Sequence, residues 1–169
     1  MKIWSQVYNS FSSCQATQFQ WKFLHHIVFT EHKLSLMNLS DGKCCICKLH
    51  RETLLHLFWE CDFSLQIWTL IEQKLHSIKN FNFDTSKFKQ IVLLGSFDGF
   101  DKIDQSKLIN TVIFETKWAI WKYRNNCKHN NIRQSMTSLF RIIFKNVKQQ
   151  IQYKSIENTN VAEFLKYFC

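Results

Sequence analysis

Cys44-Cys45-Ile46-Cys47-Lys48-Leu49-His50-Arg51-Glu52-Thr53-Leu54-Leu55-His56-Leu57-Phe58-Trp59-Glu60-Cys61 is the stretch around which the rest of the chain is organised. Cys44, Cys47, His56 and Cys61 give the spacing C-x2-C-x8-H-x4-C. Three soft thiolates and one imidazole suit tetrahedral zinc in a closed site, which holds structure and performs no hydrolysis. Two intervening residues let a tight turn aim Cys44 and Cys47 at one point. The apolar run from Thr53 to Trp59 is long enough for a short helix that projects His56 from one side, with Cys61 closing the set past its last turn. Cys45 is an alternative to Cys44, but Cys45-x-Cys47 forces a tighter turn, which favours Cys44. Lys43, Lys48 and Arg51 flank the site and offset the net negative charge left when three thiolates meet one Zn2+.

Two plainer readings compete. Cysteine is among the most buried residue types, so the four side chains can be reduced core residues. Four ligands within so short a span, one of them in a C-x2-C pair, favour metal. Disulfides are the weaker rival, because seven cysteines are an odd number and no secretory segment precedes them. His25 and His26 are read as surface or packing residues, since four ligands already complete a tetrahedron.

The pattern Cys44-x2-Cys47, Glu52-Thr53, His56-Leu57-Phe58-Trp59-x-Cys61 and Trp68 resembles the zinc-binding domain at the C-terminal end of reverse transcriptase polyproteins of LINE-type, non-LTR retrotransposons. Upstream the resemblance runs through Phe19-Gln20-Trp21-Lys22-Phe23-Leu24-His25-His26, Thr30 and the Leu34 to Leu39 segment. Downstream it continues more loosely through Ile91-Val92-Leu93-Leu94-Gly95 and Lys117-Trp118-Ala119-Ile120-Trp121-Lys122-Tyr123-Arg124-Asn125. It implies a tail that lies after a polymerase and helps to bind element RNA or target DNA.

The 169 residues fit one domain, or a core domain with a helical extension. No proline and only three glycines argue for helices joined by short polar loops. The expected fold is mostly α, a small zinc-knuckle helical domain followed by an amphipathic helix pair. Residues 1–94 form the zinc-binding domain, 95–104 a linker and 105–169 a basic helical extension. No signal peptide or membrane span is found, so the expected location is intracellular, nuclear or cytoplasmic, with no membrane partner.

Along the chain, apolar spacing predicts a short helix over 2–11, a helix from Ala16 to about Thr30 and another from Glu31 to Leu39, ended by Ser40-Asp41-Gly42. After Cys61, Asp62 is expected to cap or open a helix carrying Leu65, Trp68, Ile71, Leu75 and Ile78. A short helix over Phe88 to Leu94 stops at Gly95. Gln105 to Lys128 carries a buried stripe of Ile109, Val112, Ile113, Thr116, Ala119, Ile120 and Tyr123. Ser135 to Lys154 places Leu139, Ile142, Ile143, Val147 and Ile151 on one side and is expected to pair antiparallel with that helix. A last helix falls in 157–169.

Net charge is +9 and unevenly spread. Residues 1–104 hold eleven Lys plus Arg against ten Asp plus Glu, whereas 105–169 hold eleven against three. Lys117, Trp121, Arg124 and Lys128 recur at steps of four, three and four, and Arg141, Lys145 and Lys148 line the second helix. Cations interleaved with an indole suit phosphates and unpaired bases, so RNA or single-stranded DNA is the expected partner, with Lys43, Lys48 and Arg51 joining the contact set. The same stripe also reads as core with a solvated edge. Paired catalytic carboxylates, a P-loop and a zincin helix are absent, so no enzyme is expected. The alternatives are a protein-interaction or scaffold domain, docking on the polymerase portion of a retroelement protein or on its own copy, and a non-functional element fragment.

Overall fold

A computed structural model describes residues 7–8, 10–78, 85–95, 103–154 and 164–166. The described residues are mostly α-helical and form no strand. Helix α1 spans Cys14–Leu24, capped by the Ser13 side chain, which accepts the Ala16 N–H. Its inward residues, Ala16, Phe19, Gln20 and Phe23, recur at helical spacing. The expected continuation to Thr30 does not occur. His26 adopts a left-handed φ of 55°, and Thr30 caps a new helix by accepting the Lys33 N–H. That helix, α2, covers only Glu31–Ser35 rather than reaching Leu39, because turns through Asn38 at φ 57° follow.

Gly42 delivers the chain into the cysteine hairpin at φ 77°, and a Cβ there would lie 2.9 Å from Ser35 Oγ. Both facts call for glycine. Lys43 and Arg51 form an isolated antiparallel bridge. Beside it the Cys44 N–H donates to His50 O at 2.8 Å and the Glu52 N–H to Gly42 O at 2.9 Å. A single turn of π-helix then spans His56–Glu60, where a short helix was expected.

Helix α3, Asp62–His76, follows, with Cys61 at its cap position and Asp62 in its first turn. Trp68, Ile71, Leu75 and Ile78 are buried as their spacing requires, but Leu65 is exposed and Ile67 faces inward instead. Two side chains of α3 tie it to the π-turn: Ser64 Oγ donates to Leu57 O at 2.5 Å and the Trp68 indole N–H to Phe58 O at 2.6 Å. Helix α4, Phe88–Leu94, ends at Gly95.

Helix α5, Ile103–Asn125, is the central element. The whole expected stripe is buried, and so are its other faces from Leu108 to Lys117. It packs on α1 and on α6, Met136–Lys154. Polar groups on α5 serve the entering chain: Thr111 Oγ1 accepts the Phe11 N–H at 2.8 Å and Glu115 Oε1 accepts the Ser13 N–H at 2.7 Å. On α6, Leu139, Ile143, Val147 and Ile151 are buried, while Arg141, Lys145 and Lys148 are exposed.

Phe19 joins these parts, with ring centroids 5.7 Å from Phe58 and 5.6 Å from both Trp118 and Trp121. One cluster of buried apolar residues therefore runs from α1 through the cysteine hairpin to α5 and α6. Most of the expected linker, of the helix over 2–11 and of the last helix lies outside the described residues, and residues 10–11 are not helical. The helix beyond that linker nevertheless shares the core of those before it.

Candidate metal centre

Each ligand is placed by a local constraint. The Lys43–Arg51 bridge sets the hairpin arms, and Lys48 closes the turn at φ 62°, its N–H donating to Cys44 O at 2.9 Å. Thr53 Oγ1 accepts the His56 N–H at 2.9 Å, which fixes the start of the π-turn. The Cys61 N–H donates to His56 O at 2.7 Å, an i→i+5 bond. The extra residue in this turn brings Cys61 back toward the side from which His56 projects.

Cys44, Cys47, His56 and Cys61 converge, their ligand atoms all within 4.8 Å of one another. Cys47 Sγ lies 3.4 Å from His56 Nε2. Around a tetrahedral zinc, Zn–S and Zn–N bond lengths place sulfur and nitrogen about 3.6 Å apart and two sulfurs about 3.8 Å apart. The four residues fit the ion with little movement. Cys45 is turned away into a different cluster with Glu31 and Glu52, so the hairpin selects Cys44.

The electrostatics agree with that assignment. Cys44 and Cys61 share a hydrogen bond that pushes the Cys44 thiol up and pulls the Cys61 thiol down, with burial raising both. A divalent cation bound by both sulfurs would displace their protons. Burial, and then the nearby His50, hold the His56 imidazole below its usual value, which keeps it neutral and free to ligate. Burial and then Glu52 push the Cys45 thiol up to about 12, so it remains an uncharged core thiol.

Behind the hairpin lies a buried ionic cluster that spacing alone did not reveal. Arg124 donates to Glu52 Oε1 from Nε at 3.0 Å and Nη2 at 2.7 Å, and also to Glu31 Oε1. Lys128 Nζ donates to Glu31 Oε1 at 2.5 Å. Glu52 Oε1 accepts the Glu31 N–H and Oε2 the Cys45 N–H, each at 2.9 Å. Glu31, Cys45 and Glu52 are themselves grouped closely enough to hold a metal, but a guanidinium supplies the positive charge there. Partners 72 and 93 residues apart in sequence leave no periodic trace.

The expected nucleic-acid contact set divides. Lys43, Lys48 and Arg51 are exposed around the hairpin, and Arg141, Lys145 and Lys148 are exposed on α6. Lys117 and Arg124 do not belong with them, being 0% and 2% exposed. Lys117 Nζ donates to Gln20 Oε1 at 2.9 Å and Leu93 O at 3.1 Å, and sits 3.9 Å from the Phe23 ring centroid. Burial lowers its pKa well below the ordinary lysine value. Seven residues apart on α5, these two cations lie on a face that α1 and the hairpin cover. Lys128 is half-buried and committed to Glu31. Trp121 is half-buried and lines a groove of about 500 Å³ with Phe19, Ile27, Phe29, Trp118 and the rim residue Lys22.

Residues 1–68 match the family described as zinc-binding in reverse transcriptase. The matched span holds all four converging ligands and ends at Trp68, the residue whose indole bonds the π-turn. Zn2+ is accordingly the structural cofactor of this centre. No curated protein and no solved structure matches the chain. No helix among the described residues is long and apolar enough to cross a membrane.

Proposed function

We propose that the chain is a zinc-stabilised nucleic-acid-binding module of the kind that ends non-LTR retrotransposon reverse transcriptases, with RNA or single-stranded DNA as its partner and no catalysis of its own. The observation that carries this reading is the set of exposed cations left after the buried ones are set aside. Lys43, Lys48 and Arg51 surround the metal hairpin, and Arg141, Lys145 and Lys148 form the solvent face of α6. A centre with three thiolates and one imidazole has no open position for water, so the ion's role is to fix the hairpin that presents the first three cations. The groove beside Trp121 and Phe29, with Lys22 at its rim, offers aromatic surface on which an unpaired base can stack.

Titrating salt against binding of a single-stranded RNA or DNA tests the reading. Phosphate contacts to single strands predict that log K falls against log salt with a slope of about −0.7 per phosphate neutralised. Lys145→Glu with Lys148→Glu should flatten that slope while leaving the denaturation midpoint in place. Equivalent reversals at Lys117 or Arg124 would disrupt the fold instead. A salt-independent isotherm, or no binding at low salt, refutes the proposal.

One observation favours a second reading. Leu36, Met37, Leu39 and Leu49 are 73%, 55%, 70% and 73% exposed, an apolar surface suited to a protein partner or a second copy. Concentration-dependent light scattering with no nucleic-acid binding would support it.

A further inference from the structure

We propose that Arg124 is a positioning residue for the metal centre and that it acts through Glu52, so that zinc is held by helix α5 as well as by the hairpin that supplies its ligands. The inference rests on the four-residue group being the zinc site. It goes beyond that assignment because Arg124 lies outside residues 1–68, and its hydrogen bonds go to Glu31, Glu52 and Asn125 rather than to a ligand.

The connection is a chain of hydrogen bonds. Arg124 grips Glu52 Oε1 with two N–H groups, at 3.0 and 2.7 Å, and this leaves Oε2 directed at the Cys45 N–H, 2.9 Å away. That amide lies between ligands Cys44 and Cys47. The Glu52 main chain is also part of the hairpin, its own N–H donating to Gly42 O. A shift of the carboxylate therefore disturbs the C-x2-C turn at Cys45, just after its first ligand. Arg124 is itself held from behind: Nη1 donates to Asn125 Oδ1 at 3.0 Å, and Cζ lies 4.9 Å from the Trp121 ring centroid. Contacts within α5 thus help to aim the guanidinium at Glu52.

Charge balance points the same way. Glu31 and Glu52 face Arg124 and Lys128, two negative groups against two positive ones, all but Lys128 buried. Removal of the guanidinium would leave an unbalanced buried carboxylate beside a zinc–thiolate centre that is itself net negative. Groups that orient a metal's immediate surroundings typically change affinity by about 10- to 100-fold when lost. Glu52 is one bond removed from that layer and Arg124 is what orders it.

The experiment uses the full zinc-loaded chain and follows release of the ion to a chromogenic chelator, with Co2+ absorption reporting tetrahedral geometry. Arg124→Met should release zinc at least about ten-fold faster than the native protein. Glu52→Gln should do the same, and the double variant should be no faster than the faster single one, because both act through one connection. Ile113→Ala, a core substitution elsewhere on α5, controls for general loosening. Should Arg124→Met fail to fold, Arg124→Lys takes its place in the cycle, since lysine keeps the charge but cannot make the paired contact. The proposal is overturned by unchanged release from the Arg124 variant, by additive effects of the two substitutions, or by equal acceleration in Ile113→Ala at matched stability. A native protein that binds no zinc would defeat the metal assignment itself, a separate outcome.

Discussion

Replacing Phe58 by alanine should strip the metal hairpin from the helical core. Phe58 is fully buried in the π-turn between the last two ligands, with its ring 5.2 Å edge-on to Phe23 and 5.7 Å from Phe19 on α1. Its carbonyl accepts the Trp68 indole N–H, so the same residue also anchors α3. A buried Phe→Ala change costs about 3–5 kcal/mol from lost transfer energy and the cavity left behind. The two aromatic contacts, about 0.5–1.5 kcal/mol each, place this site in the upper half of that range. With a urea dependence of about 2 kcal/mol per molar, a loss of about 4 kcal/mol moves the unfolding midpoint of the zinc-loaded protein down by about 2 M. Chelator competition under native conditions should show weaker zinc binding as well, because His56 and Cys61 lose the packing that aims them. A midpoint shift below about 0.5 M with unchanged zinc affinity would refute the idea that this ring joins the ion to the core.

Cys44→Ser should abolish stoichiometric zinc in metal analysis, whereas Cys45→Ser should keep one ion per chain, since Cys45 faces Glu31 and Glu52 instead. Glu31 supplies a pH test. Burial alone would raise its carboxyl, but the Lys128 hydrogen bond and the Arg124 and Lys128 charges outweigh burial and hold it below 4.5. A depressed carboxylate contributes stability that is complete above its unfolded value and is lost as pH falls through its folded one. The difference in unfolding free energy between the native protein and Glu31→Gln should therefore be constant near neutrality and shrink below about pH 4.5. A difference that does not change from neutral pH to about pH 3 would remove Glu31 from the ionic cluster.

The parts of the molecule readable from sequence are those set by short spacing. C-x2-C-x8-H-x4-C placed the four ligands, and the apolar period of α5 placed Ile109, Val112, Ile113 and Tyr123 inside. Helix ends were less legible. Leu24 ends α1 because His26 takes a left-handed conformation that apolar periodicity does not encode, and the extended apolar pattern suggested more helix. Lys117 and Arg124 misled for a related reason. A periodic cation on a helix reads as solvated unless its partner is known, and here the partners are Gln20, Leu93 O, Glu31 and Glu52 on distant segments. The surplus of positive charge in the last third is therefore smaller at the surface than in the sequence, since two of those charges serve the interior.

The π-turn at His56–Glu60 makes the spacing between the third and fourth ligands intolerant of length change. Deleting one residue there would relax the turn to ordinary winding and swing everything after it by about 100° around the axis. Cys61 would then leave its three companions, while Ser64 and Trp68 on α3 would lose the carbonyls of Leu57 and Phe58 together. Substitutions within the five residues can be absorbed one at a time, but a gap or an insertion breaks the ion's coordination and the seating of a helix in a single step.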